Sequence, residues 1–513
     1  MYLITSAAYV SENIRNEIGN IPPSFLPIRN ERLYVHQLAS LKLDEVVYLT
    51  IPDDYQLPEF DSYALEDAGV NIIRIPKNLS LGQSITYAIN MIGIYDEPLR
   101  ILHGDTLILD LPEMDDAFIV ADSDDNYDWA VIDVEEHAEL IYAGYFSFGD
   151  LKHFLKCVVM ENYHFVDALE RYKADQNTPL YKVSKWYDFG HINTFYRSKA
   201  SMPTARHFNS MKINSRVVIK SSVNNRKILA ESNWFEQLPS KLRYYTPQLV
   251  SVNKDEANAE YQLEYLYFIG LNELFVFGNQ PLFIWNKIFS SCFEFISQCL
   301  NFKPQHVDQY INNDIYLKKT LVRIDAFLKD HPQYAGALSY NNKKLGTLHE
   351  IAIGAAKCIS LPDEASISIV HGDFCFSNIL YDFRRQDIKV IDPRGINVNG
   401  ELDLFGDIRY DVSKLAHSII GLYDYIIAGH YHLTLEQLDF KLEFPDMQSI
   451  NRVQDVFYKN MEAHSGGRVD QKFLLAVMVQ LFISMIPLHA DSPSRQRAFI
   501  ANALRLYTEL EEL

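Results

Sequence analysis

An Asp and an Asn five residues apart, in His371-Gly372-Asp373-Phe374-Cys375-Phe376-Ser377-Asn378, are followed by a second Asp in Val390-Ile391-Asp392-Pro393. This set of oxygen donors suits phosphoryl transfer from ATP. One carboxylate, Asp373, would orient an attacking hydroxyl and accept its proton. The amide oxygen of Asn378 and the carboxylate of Asp392 would hold the Mg2+ ions that bridge the phosphates. Apolar runs over Ile367 to Val370 and Ile388 to Ile391 read as strands feeding the two polar clusters.

A second pair of carboxylates lies far upstream. Leu102-His103-Gly104-Asp105-Thr106 follows an apolar run, and Trp186-Tyr187-Asp188-Phe189-Gly190-His191 places another Asp after a short aromatic run. Carboxylates at strand ends project into the crevice where open α/β sheets bind ligands. Asp105 and Asp188 together can hold one magnesium ion on a nucleotide phosphate.

The elements around these residues change character along the chain. Before about residue 200, Met1 to Thr5, Glu45 to Ile51, Val70 to Ile75, Leu99 to His103 and Trp129 to Val134 read as strands, with helical patterns such as Leu81 to Ile94 between them. That alternation predicts a mostly parallel sheet with crossover helices. The boundary is placed near Lys199 to Arg206, giving domains 1–203 and 204–513. After it, Arg216 to Lys220 reads as a strand, Leu229 to Leu238 as a helix and Tyr261 to Leu266 as a strand. Beyond Pro281 helical patterns dominate, with loops expected over Asn301 to Asn313 and Pro362 to Ala365.

A chain of 513 residues needs more than one core. With 47 basic and 67 acidic residues its net charge is −20, which disfavours nucleic acid and acidic membranes as partners. The five cysteines have no metal-type spacing, so a reduced, cytoplasmic setting is expected. Cys375 reads as a small filler of its loop. Met1 to Ser6 carries no basic stretch ahead of a long apolar run, so no secretion signal is expected. Phe473 to Leu488 is the most apolar segment and reads as too short to span a membrane.

The motif His371-Gly372-Asp373 through Asn378, with Ile391-Asp392-Pro393-Arg394-Gly395 and Gly406-Asp407-Ile408-Arg409-Tyr410-Asp411, resembles the aminoglycoside phosphotransferase and choline kinase superfamily. The resemblance covers about residues 207 to 513. It implies an α+β bilobal, protein-kinase-like fold, with a small lobe over about 204–270 and a helical lobe over about 271–513. It also implies that Lys220 pairs with the ATP phosphates, with Lys227 competing for that role, and that Glu231 holds the lysine. His371 would brace the loop, and Asp411 would anchor a helix beneath it. Glu264 to Leu266 would form the hinge that offers backbone groups to adenine. No Gly-rich loop precedes Lys220, so phosphate cover is assigned to a turn near Asn209 to Ser215, or partly to elsewhere. Arg394 and Arg409 could meet an anionic substrate or brace loops, and Tyr316, Lys319 and Arg323, on one helix face, could line a substrate cleft but read first as a solvated face.

The amino-terminal half resembles the sugar-nucleotidyltransferase family, with a GT-A-like Rossmann sheet, over about residues 1 to 200. Besides the Asp105 and Asp188 motifs, the likeness rests on Pro23-Ser24-Phe25-Leu26-Pro27-Ile28, His36-Gln37-Leu38 and Leu81-Gly82-Gln83-Ser84. It implies that a second nucleoside triphosphate, CTP or another, binds there. Two departures stand out. Ser6-Ala7-Ala8-Tyr9-Val10-Ser11-Glu12 replaces a Gly-rich phosphate loop, and Ser24 stands where the family carries a Lys, leaving Arg15 or Arg29 to substitute.

The function expected is an ATP-dependent kinase for a small alcohol, polyol or sugar, fused to a nucleotidyltransferase-like domain in bacterial capsule or lipopolysaccharide precursor synthesis. One alternative is a bifunctional kinase and nucleotidyltransferase. The other, from a different class, is a non-catalytic nucleotide-binding regulatory or assembly protein.

Overall fold

In the amino-terminal part, apolar runs on adjacent strands are buried without alternation. Leu3, Ile4, Leu49, Ile51, Leu99, Ile101 and Leu102 are all buried, as parallel strands covered on both faces require. This is a computed structural model, and it describes residues 1–41, 45–112, 114–122, 130–133, 138–202, 209–214, 216–255, 258–311, 316–397 and 399–513. The chain divides into two compact units, Met1–Met202 with Phe277–Asn279, and Pro203–Val276 with Gln280–Leu513.

The first unit is built on one mixed sheet. Its strand order is Leu180–Lys182, Phe118–Asp122, Ala138–Phe148, Leu99–His103, Tyr2–Thr5, Val47–Pro52 and Val70–Ile75. Tyr2–Thr5 runs parallel to both of its neighbours, and Val47–Pro52 runs parallel to Val70–Ile75. Ala138–Phe148 runs antiparallel to the strands on either side. This is the mostly parallel α/β sheet expected from the alternation of runs. Of the expected strand Trp129 to Val134, Ala130–Asp133 is seen; Trp129 and Val134 lie outside the described residues.

A separate antiparallel pair joins Thr106–Ile108 to Trp186–Asp188, with Asp188 opposite Thr106. That register sets Asp188 beside Asp105, although the two are far apart in sequence. The helix Leu81–Ile92 begins with a capping box between Ser80 and Gln83 and ends at Gly93, which has φ 74°. Gln83 is thus occupied as a cap, and the helix stops short of the expected Ile94.

The second unit has a small lobe and a helical lobe, as the sequence led us to expect. The small lobe is a four-stranded antiparallel sheet in the order Asn209–Ile213, Val217–Ser222, Glu260–Glu264, Leu249–Asn253. The helix Asn225–Gln237 packs on it, with Ile228, Trp234 and Phe235 buried. The turn expected over Asn209 to Ser215 is mostly strand: Asn209–Ile213 pairs with Val217–Ser222, and Ser215 lies outside the described residues. That hairpin closes at the hinge end of the lobe, where the Tyr265 amide donates to the Arg216 carbonyl at 2.8 Å. Lys220 lies further along that strand, opposite Met211 and away from the turn.

In the helical lobe, Leu282–Leu300, Leu317–Asp330, Ile408–Ile419, Met447–Ser465, Gln471–Met485 and Pro493–Glu511 pack around one another. The segment Gln471–His489 is 19 residues long with a mean hydropathy of 1.7, enough by length and composition to cross a membrane. The expectation that it is too short is wrong. Buried over 72% of its most apolar window, it is a core helix of this lobe.

One buried charge network fixes part of the first unit. Arg32 donates to Asp61, and also to the carbonyls of Phe25 and Phe277 at 2.8 and 2.9 Å. The Tyr34 hydroxyl donates to Asp61 at 2.9 Å. Removing one member of a buried ion pair strands the other, at a cost of about 3–5 kcal/mol. Asp61→Ala is expected to lower the unfolding midpoint of this unit sharply in calorimetry, while the transition of the second unit stays in place. A variant that melts like the unaltered protein would show that Arg32 is satisfied without Asp61.

Candidate active site

The site in the second unit forms where the strand Ile367–Ile369 runs out into the loop His371 to Asn378. Asp411, fully buried on the helix Ile408–Ile419, accepts the amides of His371 and Gly372 at 2.6 and 2.8 Å. Burial pushes its carboxyl up to about 7, against the pull of those two amides. The position of Asp411 thus anchors the loop to the helix.

His371 is buried, and burial pushes its imidazole down to about 4, so it is neutral. Its Nδ1 accepts the Asp373 amide at 3.3 Å, which leaves Nε2 to donate to the Ile391 carbonyl at 2.9 Å. The Ile391 amide donates to the Asn378 carbonyl at 3.0 Å, and the Arg394 amide to the His371 carbonyl at 2.8 Å. These bonds stitch the segment around Asp392 to the loop around Asp373. Asp392 itself has φ 58°, a left-handed backbone uncommon for a residue with a side chain.

Asp373 is 45% exposed, at the floor of this cleft, and its Oδ1 lies 2.8 Å from the Lys414 ammonium. Burial works to raise its carboxyl, but Lys414, then His371 and Arg394, hold it well below the usual carboxylate range. Asn378 donates its Nδ2 to the Asp373 carbonyl at 2.9 Å and to Asp373 Oδ2 at 3.2 Å. With its nitrogen engaged, the hard donor Asn378 can offer a cation is its amide oxygen. Asp392 adds a carboxylate that is 44% exposed. Both are ligand types that magnesium accepts, so the residues fit that ion.

Lys220 reaches this cleft from the small lobe. It is 4% exposed, and its Nζ lies 2.7 Å from Glu231 Oε2 and 2.8 Å from Asp392 Oδ1. The Tyr261 hydroxyl also donates to Glu231, at 2.6 Å. Lys227, the competing lysine, is half-exposed and stands 3.6 Å from the other Glu231 oxygen. The structure therefore brings Lys220, Glu231, Asp373, Asn378 and Asp392 together and keeps Lys227 at the rim.

In the segment expected to form a hinge, the Glu264 amide donates to the Gln248 carbonyl and the Tyr265 amide to the Arg216 carbonyl. Among the described residues no hydrogen bond ties the Leu266 amide, so of the expected pair Leu266 is the one able to donate to a base. The structure also shows a residue that the sequence reading missed, Lys414. Its signal was present, because it stands one helical turn beyond Asp411 and so on the same face.

In the first unit, Asp105 and Asp188 meet. A Cβ on Gly190 would stand 2.5 Å from Asp105 Oδ2 and 3.2 Å from Asp188 Oδ1. Burial, and then the charge of Asp188, push the Asp105 carboxyl up to about 6. Two carboxylates held this close suit a divalent cation. A cavity of about 490 Å3 opens over the end of the strand Tyr2–Thr5, and Ala7, Ala8, Tyr9, Arg15, Asp54 and Lys77 are among its walls. The Tyr9 hydroxyl donates to Asp54 at 3.0 Å, and Lys77 pairs with the same carboxylate at 2.7 Å. Ser24 is fully buried, its hydroxyl donating to the Gly104 carbonyl at 3.2 Å. Of the two arginines proposed as substitutes, Arg15 lines the cavity, whereas Arg29 donates to the Met202 carbonyl at 3.0 Å.

No family model matches the chain, and no curated protein matches it. Among solved structures it is similar to a putative glucose-1-phosphate thymidylyltransferase from Bacillus anthracis, at 12% identity over 40% of this chain and 97% of the other, with a TM-score of 0.31. It is also similar to an aminoglycoside-3'-phosphotransferase of type VIII, at 12% identity over 55% of this chain and 92% of the other, with a TM-score of 0.35. A further match is the aminoglycoside phosphotransferase APH(4)-Ia, at 12% identity over 59% and 92%, with a TM-score of 0.35. Both resemblances expected from the sequence thus recur among the structural matches.

Lys414 sets the charge on Asp373 in this geometry. In a Lys414→Met variant the Asp373 carboxyl should return toward its ordinary value, a change of about one to three pH units for loss of a close opposite charge. The sign follows directly: if Asp373 must be ionised to orient an acceptor hydroxyl, any ATP-dependent turnover should in the variant fail at a higher pH as acid is added. A pH profile of kcat/KM whose acid limb does not move would show that Lys414 does not control Asp373.

Proposed function

We propose that the second unit is a kinase that transfers the γ-phosphoryl group of ATP to a hydroxyl of a small molecule. The observation that carries this reading is the junction of Lys220 with Glu231 and Asp392, beside Asp373 and Asn378. Asp373, ionised and facing the cleft, would orient the acceptor hydroxyl. Held well below the usual range, it is a weak base, so its main work is alignment, with the proton passing to it late, as a loose transition state permits. Lys220 would neutralise phosphate oxygens, with Glu231 and Tyr261 fixing its position. Asn378 and Asp392 would hold magnesium, which supplies charge neutralisation across the phosphates. The Leu266 amide would meet the nucleotide base.

A pairing of this kinase with a nucleotidyltransferase-like unit fits supply of activated precursors for bacterial capsule or lipopolysaccharide, acting in the cytoplasm where ATP and reduced thiols are found. A second reading, in which the first unit also transfers a nucleotidyl group, has the meeting of Asp105 with Asp188 in its favour. Against it stand the buried Ser24 at the family's lysine position and the Tyr9 side chain in the cavity wall.

Asp373→Asn and Asp392→Asn should each cut ATP-dependent phosphorylation by about a thousandfold or more, roughly 4 kcal/mol of transition-state stabilisation, in a folded protein. Lys220→Ala should chiefly raise the KM for ATP. Either Asp variant retaining a tenth of the activity would remove that residue from the reading. For the first unit, each of the four nucleoside triphosphates offered with a sugar phosphate or with the kinase product is expected to release no pyrophosphate. Asp105→Ala should leave phosphorylation intact. Pyrophosphate release that Asp105→Ala abolishes would establish the second reading instead.

A further inference from the structure

Four cations gather around Asp373 and Tyr410. Lys414 pairs with it directly. The Arg394 guanidinium lies 5.5 Å from the centre of the Tyr410 ring, and a Cβ on Gly372, the residue before Asp373, would meet Arg394 Cβ at 2.6 Å. Lys319 and Arg323 stand one turn apart on the helix Leu317–Asp330. Tyr316, which precedes that helix, has its ring 6.0 Å from the Tyr410 ring, bringing the helix against the residue on which Arg394 packs. Arg323 donates to the Ser484 carbonyl at 2.8 Å, and among the described residues neither it nor Lys319 makes an ion pair with a carboxylate.

Such a cluster is costly. Burial pushes the Lys319 ammonium down to about 7, Arg394, Arg323 and Lys414 push it further, and Asp373 is the acid that opposes them. A chain with a net charge of −20 has ample carboxylates with which to relieve a structural cluster, yet among the described residues none pairs with these two. Uncompensated, half-buried cations converging beside a reacting carboxylate are the electrostatic form of an anion site. The expectation of a merely solvated helix face does not account for them.

We infer that the acceptor is itself an anion, a small alcohol bearing a carboxylate or a phosphate, which Lys319 and Arg323 hold while its hydroxyl meets Asp373. This rests on the kinase reading. The oxygen of the acceptor forms a bond to the γ-phosphorus as the bond from that phosphorus to the ADP oxygen breaks. The hydroxyl proton leaves through Asp373, giving ADP and a phosphorylated acid. An aminoglycoside or an amino alcohol would bring positive charge to a positive wall.

The test is ADP formation by the full-length protein with magnesium and ATP, on matched acceptors: glycerol, ethanolamine, glycerate and glycerol 3-phosphate, then glucose, glucosamine, gluconate, glucuronate and glucose 6-phosphate. An acidic member is expected to exceed its neutral and cationic partners in kcat/KM by about tenfold or more, the effect of one good charge-assisted contact. Comparing the carboxylate with the phosphate members tells which group the site takes. Lys319→Gln should lower that preference about tenfold, and Lys319→Arg should restore it. Turnover led by neutral or cationic acceptors, or no acidic acceptor used, overturns the inference and leaves the kinase reading standing wherever ATP is bound or hydrolysed. Failure of ATP both to bind in calorimetry and to be hydrolysed defeats the kinase reading itself.

Discussion

The second unit depends on one buried cation. Lys220 leaves a strand of the small lobe, meets Glu231 on the helix packed against that strand, and meets Asp392 on a segment of the helical lobe. Removing an ammonium from water costs several kcal/mol, and an uncharged partner does not repay it. Two carboxylates and the phenol of Tyr261 on Glu231 do so only when the strand, the helix and the Asp392 segment hold one arrangement. Desolvation therefore makes the charge cluster a register pin for the two lobes. Trp234, one turn beyond Glu231, adds a second tie by donating to the Val370 carbonyl at 2.8 Å. The helix that positions Lys220 is thus bonded directly to the strand end that leads into the loop His371 to Asn378.

Much of this was legible because the chemistry is local. His371 to Asn378 and Asp392 carry their meaning in spacing, and the strands that deliver them are short apolar runs. The pair Asp105 and Asp188 was legible for another reason: each is a carboxylate at a strand end, and an α/β sheet gathers such ends. Their actual meeting is fixed by the antiparallel pairing of Trp186–Asp188 with Thr106–Ile108, which no local pattern announces. Elsewhere the signals were weak. The hairpin His432–Glu436 with Asp439–Glu443 turns through Gln437 at φ 58°, where Asn or Gly would have marked it. Its partner hairpin does carry such a mark, Asn341-Asn342 with φ 50° and 66°, between strands too short to show alternation.

The misread helix has a physical cause. Gln471–His489 has the length and hydropathy of a membrane span because a core helix surrounded by other helices is apolar on every side. Composition does not separate that case from a lipid-facing one; the helices packed around it do. Lys319 and Arg323 show the same limit from the polar side, because their spacing alone left a substrate-lining face and a solvated face both open. Charged residues at helical spacing look like a solvated face, and whether that face meets water or a neighbouring cation is decided by Arg394 and Lys414, both distant in sequence.

The electrostatics of the cleft then divide by side. Toward the small lobe, Asp392 and Glu231 outnumber Lys220, so that side has negative charge to spare for a hard cation. Toward the helix Leu317–Asp330, Lys319, Arg323, Arg394 and Lys414 outnumber Asp373 and the buried Asp411. Asp373 stands where the two regions meet and is kept ionised by the second. For the phosphoryl transfer proposed, this arrangement would place a cation-binding wall and an anion-binding wall on either side of the carboxylate proposed to align the acceptor. Charge developing on the transferred group would lie between them, where a low local dielectric strengthens both. If the acceptor is anionic as inferred, a strongly acidic chain could serve two anionic substrates, because the cations concerned would be concentrated beside Asp373.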